Sequence, residues 1–115
     1  IVFCNHVLEH IQDDKTAMKE LYRVMRKGGM GIFQIPQDLN CDVTFEDDSI
    51  SDPKERAKIF GQYDHVRVYG RDYFDKLRSI GFKVEEVNYS KRMSSELCDK
   101  YRLMEGEILP VVYKD

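Results

Sequence analysis

The apolar residues of this chain fall into short unbroken runs and stripes at helical spacing, and their order outlines the fold. Ile1-Val2-Phe3-Cys4 is an unbroken run ending at Asn5, the pattern of a strand buried on both faces of a parallel sheet. Asp13 or Asp14 can cap a helix that runs to about Arg26. Met18, Leu21, Tyr22 and Met25 form its buried stripe, with Lys15, Lys19, Glu20 and Arg23 on the wet face. Gly28-Gly29 stops it, and Met30 to Ile35 reads as a second strand closed by Pro36. Strand, helix and strand joined by short turns make a βαβ unit.

The pattern then changes. Gln37 to Asp52 holds Asp38, Asp42, Glu46, Asp47, Asp48 and Asp52 with few apolar residues, and is expected to be a solvated, mobile lid. The acids lack the spacing of a calcium loop. Asp52-Pro53 opens a short helix to about Phe60, and Gly61 to Gly70 is a second loop. A helix is expected from Asp72 to Ile80, with Tyr73, Phe74, Leu77 and Ile80 inward, then a strand from Phe82 to Tyr89. Ser94 or Ser95 can cap a segment in which Leu97, Tyr101 and Met104 share a face, with Tyr101 read as core. Ile108 to Lys114 makes a last strand, with Pro110 near its start.

Composition narrows the function. At 115 residues this is one domain or part of one, with 42% hydrophobic and 34% charged residues, as in an ordinary soluble protein. A net charge of −3 argues against nucleic acid as the partner, since phosphate binding needs a basic face. Cys4, Cys41 and Cys98 are odd in number and widely spaced, as expected for reduced thiols of a cytoplasmic protein. No apolar stretch approaches the roughly 20 residues of a membrane helix, so no membrane partner is expected.

Candidate chemistry lies in two places. Asn5-His6-Val7-Leu8-Glu9-His10-Ile11 follows directly on the first strand, where open α/β sheets hold their ligands. His6 to His10 also spells H-x-x-E-H, the motif of inverted zinc peptidases, but that chemistry needs a helix and a third ligand. A helix is expected only after Asp13, and no well-placed third ligand follows, so no metal ligands are assigned. Glu9 and His10 are expected to anchor the turn to neighbouring backbone. Asp64-His65-Val66-Arg67-Val68-Tyr69-Gly70 is the second constellation. His65 and Arg67, two apart on an extended segment, are the catalytic candidates, as general base and anion holder. The competing reading is a loop tied by Arg67 to acids of Gln37 to Asp52.

Asn5 to Ile11 and Glu20-Leu21-Tyr22-Arg23-Val24-Met25-Arg26-Lys27-Gly28-Gly29 together resemble the second half of class I S-adenosylmethionine-dependent methyltransferases of the type 11-like kind. The later Gly81-Phe82 is similar to that family's entry to its sixth strand. The resemblance implies an α/β fold, a partial Rossmann-like sheet of strands 4, 5, 7 and 6 with the seventh antiparallel. Residues 1–115 would be the C-terminal part of one methyltransferase domain, with 37–70 as a substrate-side loop insertion. It implies S-adenosylmethionine as cofactor, with Asn5, His6 and Leu8 beside it, and a small-molecule methyl acceptor. A divalent cation at Glu9 and His10 is a lesser reading, implied only by this resemblance. The family's N-terminal half, with its glycine-rich turn and acidic ribose ligand, has no counterpart here, so this chain alone is expected to be inactive. The rivals are a non-catalytic half-domain acting as a binding or dimerising module and, more weakly, a metal-dependent hydrolase. An exposed apolar edge at Ile1 to Cys4 further implies a homodimer.

Overall fold

The computed structural model describes residues 1–115. The chain runs β1 (Val2–Phe3), a 3-10 turn (Leu8–His10), α1 (Asp14–Val24), β2 (Met30–Ile32), β3 (Phe45–Glu46) and α2 (Pro53–Phe60). It continues through β4 (Arg67–Val68), α3 (Tyr73–Ile80), β5 (Lys83–Val87), α4 (Tyr89–Arg92), α5 (Ser95–Tyr101) and β6 (Leu109–Tyr113). The helix starts follow their caps. Asp13 accepts from the Thr16 N–H, Asp52 from that of Lys54 with Pro53 next in line, and Ser94 from that of Leu97. Gly61, at φ 94°, ends α2 in a left-handed turn that a side chain would strain.

The main sheet has the order β1-β2-β6-β5. β1 and β2 are parallel, as a βαβ unit requires, while β6 lies antiparallel to both of its neighbours. The last strand of the chain is therefore inserted between the second and the fifth. Pro110 sits inside that central strand, and its carbonyl still accepts from the Phe33 N–H at 3.1 Å.

Register sorts the side chains onto two faces. Val2, Gly31, Val112 and Val84 are in register across the sheet, and this row joins Cys4, Phe33, Met18, Tyr73, Phe74 and Leu77 in the core. Helices α1 and α3 pack on each other, and α3 also lies on β5. The other row runs Phe3, Ile32, Val111 and Glu85, and it is open at both ends.

Three expectations change here. Ile1 to Asn5 is not buried on both faces: Ile1 and Phe3 are 79% and 67% exposed while Cys4 is buried. The reason is position, since β1 is an edge strand with β2 as its one neighbour and helices over one face. The stretch 37–52 is solvated as expected, but it is tied to the body of the fold. Phe45–Glu46 pairs with Arg67–Val68, Gln37 bridges Tyr69, and Asp72 accepts from the N–H and hydroxyl of Thr44. Gly70 permits that docking, because a Cβ there would lie 2.6 Å from the Cys41 carbonyl oxygen. Tyr101, Leu97 and Met104 are exposed rather than core, because α5 has its cap but no element covering its apolar side.

Candidate functional site

The chain leaves β1 through a sharp change of direction. His6 adopts φ 57°, a left-handed conformation that costs a non-glycine residue about 1–2 kcal/mol and is held here by surrounding contacts. Its N–H donates to the Gln34 carbonyl at 2.8 Å, and Asn5 Oδ1 accepts from the Gln34 N–H at 3.2 Å. Both residues are exposed and stand at the carboxyl ends of β1 and β2. The 3-10 turn then drives Leu8 wholly into the core, where it offers a ligand no surface.

Arg67, 2% exposed on β4, binds this turn from one side. It donates from Nη1 to the carbonyls of Leu8 (2.6 Å) and Ile11 (2.5 Å), from Nη2 to that of Gln12 (2.8 Å), and from Nε to Glu46 (2.8 Å). Asp14 stands 3.6 Å from Nε and accepts the Tyr69 hydroxyl at 2.6 Å. Burial works against the Arg67 charge, yet the Glu46 bond and the neighbouring Tyr69 and Asp14 hold its pKa above the ordinary value. Burial, reinforced by the bond to Asp14, pushes the Tyr69 phenol far above its usual range. The tie between Arg67 and an acid of the 37–52 stretch, read from sequence as the alternative to catalysis, is thus realised through Glu46.

Glu9 lies on the same turn and is 1% exposed, but neither carboxylate oxygen has a hydrogen-bond partner. Around it are imidazoles: His10 Nε2 at 3.6 Å, His6 Nδ1 at 3.8 Å, and His65, whose ring meets that of His10 edge-on at 4.6 Å. Glu9, His10 and His65 each place a ligand-type atom within 4.8 Å of the others. The outer nitrogens of the two rings are occupied. His10 Nδ1 faces the Asp64 carboxylate at 3.2 Å, and His65 Nδ1 faces the Phe60 carbonyl at 3.4 Å.

Two clefts meet at Pro36 and Gln37. One of ≈190 Å³ is lined by Glu9, His65, Arg67 and Asp38, and a larger one of ≈430 Å³ by His6, Leu39, Glu105 and Glu107. The fold thus brings His6, Glu9, His10, His65 and Arg67 to one end of the sheet, and leaves Leu8 behind in the core.

As expected, H-x-x-E-H does not lie along an α-helix: His6 is left-handed and only Leu8–His10 is helical. Two other sequence readings are corrected. A third group does reach Glu9 and His10, and it is His65, 55 residues beyond His10. No spacing rule joins residues so far apart; the available signal was a histidine between Asp64 and Val66, two positions before Arg67 on an extended segment. Of the two residues expected to anchor the turn to backbone, His10 does so, with Nδ1 3.3 Å from the Asp64 carbonyl, and the Glu9 carboxylate does not. The Glu9 carbonyl accepts from the Val66 N–H, and Arg67 holds those of Leu8, Ile11 and Gln12.

Residues 1–33 match a family described as methyltransferase domain. The fold of the chain is similar to that of a protein of Bacillus halodurans C-125 named as a proposed methyltransferase, with 18% identity and a TM-score of 0.54. The match covers 98% of this chain and 63% of that protein, so the chain spans less than two thirds of its length. No curated protein shows a significant match. The chain therefore has an α/β fold similar to that protein's, and its first βαβ unit lies where the methyltransferase-domain family matches. No helix is long and apolar enough to cross a membrane.

Proposed function

We propose that the chain is the C-terminal part of a class I S-adenosylmethionine-dependent methyltransferase acting on a small molecule. The observation that carries this reading is the pairing of β1 and β2 through α1, over residues that match a methyltransferase domain, with a final strand inserted antiparallel beside them. That order corresponds to strands 4, 5, 7 and 6 of the resemblance.

S-adenosylmethionine, when bound, supplies a sulfonium-activated methyl group, so the protein need only align the acceptor and exclude water. His6, exposed over the ≈430 Å³ cleft, and the amide nitrogen of Asn5 are the groups left to contact the cofactor. They offer part of a cofactor site, and no glycine-rich phosphate-type turn occurs in these 115 residues. By itself the chain is accordingly inactive. His65 lines the smaller cleft, which this reading gives to the acceptor. Arg67 spends its donors on three carbonyls and Glu46, so its role is to position the turn rather than to touch substrate.

Calorimetric titration of S-adenosylhomocysteine tests this, using the chain and a version carrying the residues encoded upstream. Saturable binding to the longer protein alone is expected. Binding to neither overturns the enzyme reading in favour of a dimerising half-domain, and binding to the short chain overturns its inactivity. The exposed row of Ile1 and Phe3 favours a homodimer across the β1 edge in either case. Phe3→Lys should then convert a dimer to a monomer in sedimentation, and a wild-type monomer at high concentration removes the proposal.

A further inference from the structure

We propose that Glu9, His10 and His65 form a site for a divalent transition-metal cation of the zinc type. Burying a carboxylate without hydrogen bonds is costly, and native folds compensate such a charge with a partner or a metal. Glu9 has neither oxygen bonded, and Arg67, which lines the same cleft, directs four of its five N–H donors to the turn carbonyls and Glu46. What surrounds Glu9 instead is nitrogen. The His10 and His6 contacts, at 3.6 and 3.8 Å, are too long for hydrogen bonds.

The imidazoles are arranged as ligands. Nδ1 of His10 is held by the Asp64 carboxylate and Nδ1 of His65 by the Phe60 carbonyl, which leaves Nε2 on each ring for a further partner. Outer oxygens of this kind fix the tautomer and orientation of metal-bound histidine. Zinc bonds of about 2.0–2.1 Å place tetrahedral ligand atoms roughly 3.4 Å apart. The observed spread, within 4.8 Å, exceeds that by little over an ångström, so small rotations of Glu9, whose oxygens make no hydrogen bond, and of the two imidazoles would close it. Two imidazoles and one carboxylate suit zinc, iron or manganese, whereas calcium seeks a shell of oxygens. Three protein ligands also leave a coordination position open, and Glu9 and His65 line the ≈190 Å³ cleft that reaches it. His6, left-handed and 3.8 Å from the same Glu9 oxygen, stands at the mouth of the site.

The test needs neither cofactor nor acceptor. The chain, stripped with a chelator and dialysed, is titrated with zinc chloride by calorimetry, and the histidine ring nitrogens are followed by NMR. One saturable equivalent is expected, shifting the His10 and His65 resonances together. Glu9→Gln and His65→Gln should each weaken binding at least about a hundredfold, and Asp64→Asn, which removes the carboxylate charge from His10 Nδ1 but leaves the Asp64 carbonyl beside it, at most about tenfold. Cobalt in place of zinc should give the visible bands of a low-coordinate site. Absence of saturable binding, unchanged His10 and His65 resonances, or affinity that survives Glu9→Gln in a folded variant overturns the proposal. The NMR arm uses the wild-type chain, so misfolding of a variant does not blunt it.

Discussion

Arg67 and Glu9 are buried against the same turn after β1, at 2% and 1% exposure, and their surroundings are opposite. Arg67 meets three carbonyls, Glu46 and Asp14, whereas the Glu9 carboxylate meets only imidazoles beyond hydrogen-bond reach. Burial by itself therefore says little about role. A buried charge whose bonding capacity is filled from within holds the fold together. One whose capacity is empty costs stability until something else arrives, which marks it as a place for a ligand.

The strongest way to break the comparison is Arg67→Met. It strips partners from Glu46, Asp14 and the turn, and should cost about 3–5 kcal/mol, as loss of one member of a buried ionic network does. Domains of this kind are stable by roughly 5–15 kcal/mol, so the urea midpoint should fall steeply. An unchanged midpoint would remove Arg67 from the centre of the fold.

The same network should appear in alkaline titration. Burial raises the Tyr69 and Tyr73 phenols above their unfolded value of about 10, and Tyr73 donates to the Phe33 carbonyl at 2.7 Å. A raised folded pKa gives stability that is complete below about pH 10 and is lost as pH climbs beyond it. Tyr89 is pushed up to about 12 by burial and its bond to Glu107. Of the seven tyrosines, Tyr69 and Tyr73 should ionise only as the chain unfolds. Seven phenolates in a chain that keeps its circular dichroism would contradict the packing.

Glu9→Gln sharpens the other side. Without metal it should leave stability within about 1 kcal/mol of wild type, or raise it, because it removes an uncompensated charge. With zinc at a hundredfold excess over Kd the wild type should gain about 2.7 kcal/mol in thermal unfolding, and the variant nothing. A large loss in the metal-free variant would make Glu9 a structural group like Arg67. Smallest of all, Tyr101→Ala on exposed α5 should stay within about 0.5 kcal/mol, since that side chain touches little beyond Lys100. A larger loss would mean that α5 has a partner.

Local chemistry was readable along the chain. Asp13, Asp52 and Ser94 stand where helices begin, the Met18 to Met25 stripe is inward, and strand-helix-strand pairing follows from the first 35 residues. These features depend on neighbours within a few positions. Tyr101 misled because a stripe at helical spacing declares an apolar face but not whether anything covers it. Ile1 to Cys4 misled likewise, since an unbroken run does not say how many neighbours a strand will have.

The sequence by itself determined where the chain turns, caps and alternates, and it placed candidate chemistry at Asn5 to His10 and at His65 to Arg67. Tertiary structure decided which of these residues meet. Pairing of β3 with β4 carries Arg67 over the turn and sets His65 beside Glu9 and His10, across a separation that loop closure leaves almost unconstrained. Whether a buried charge is satisfied depends on atoms from four separate segments, and only the folded chain brings those into one place.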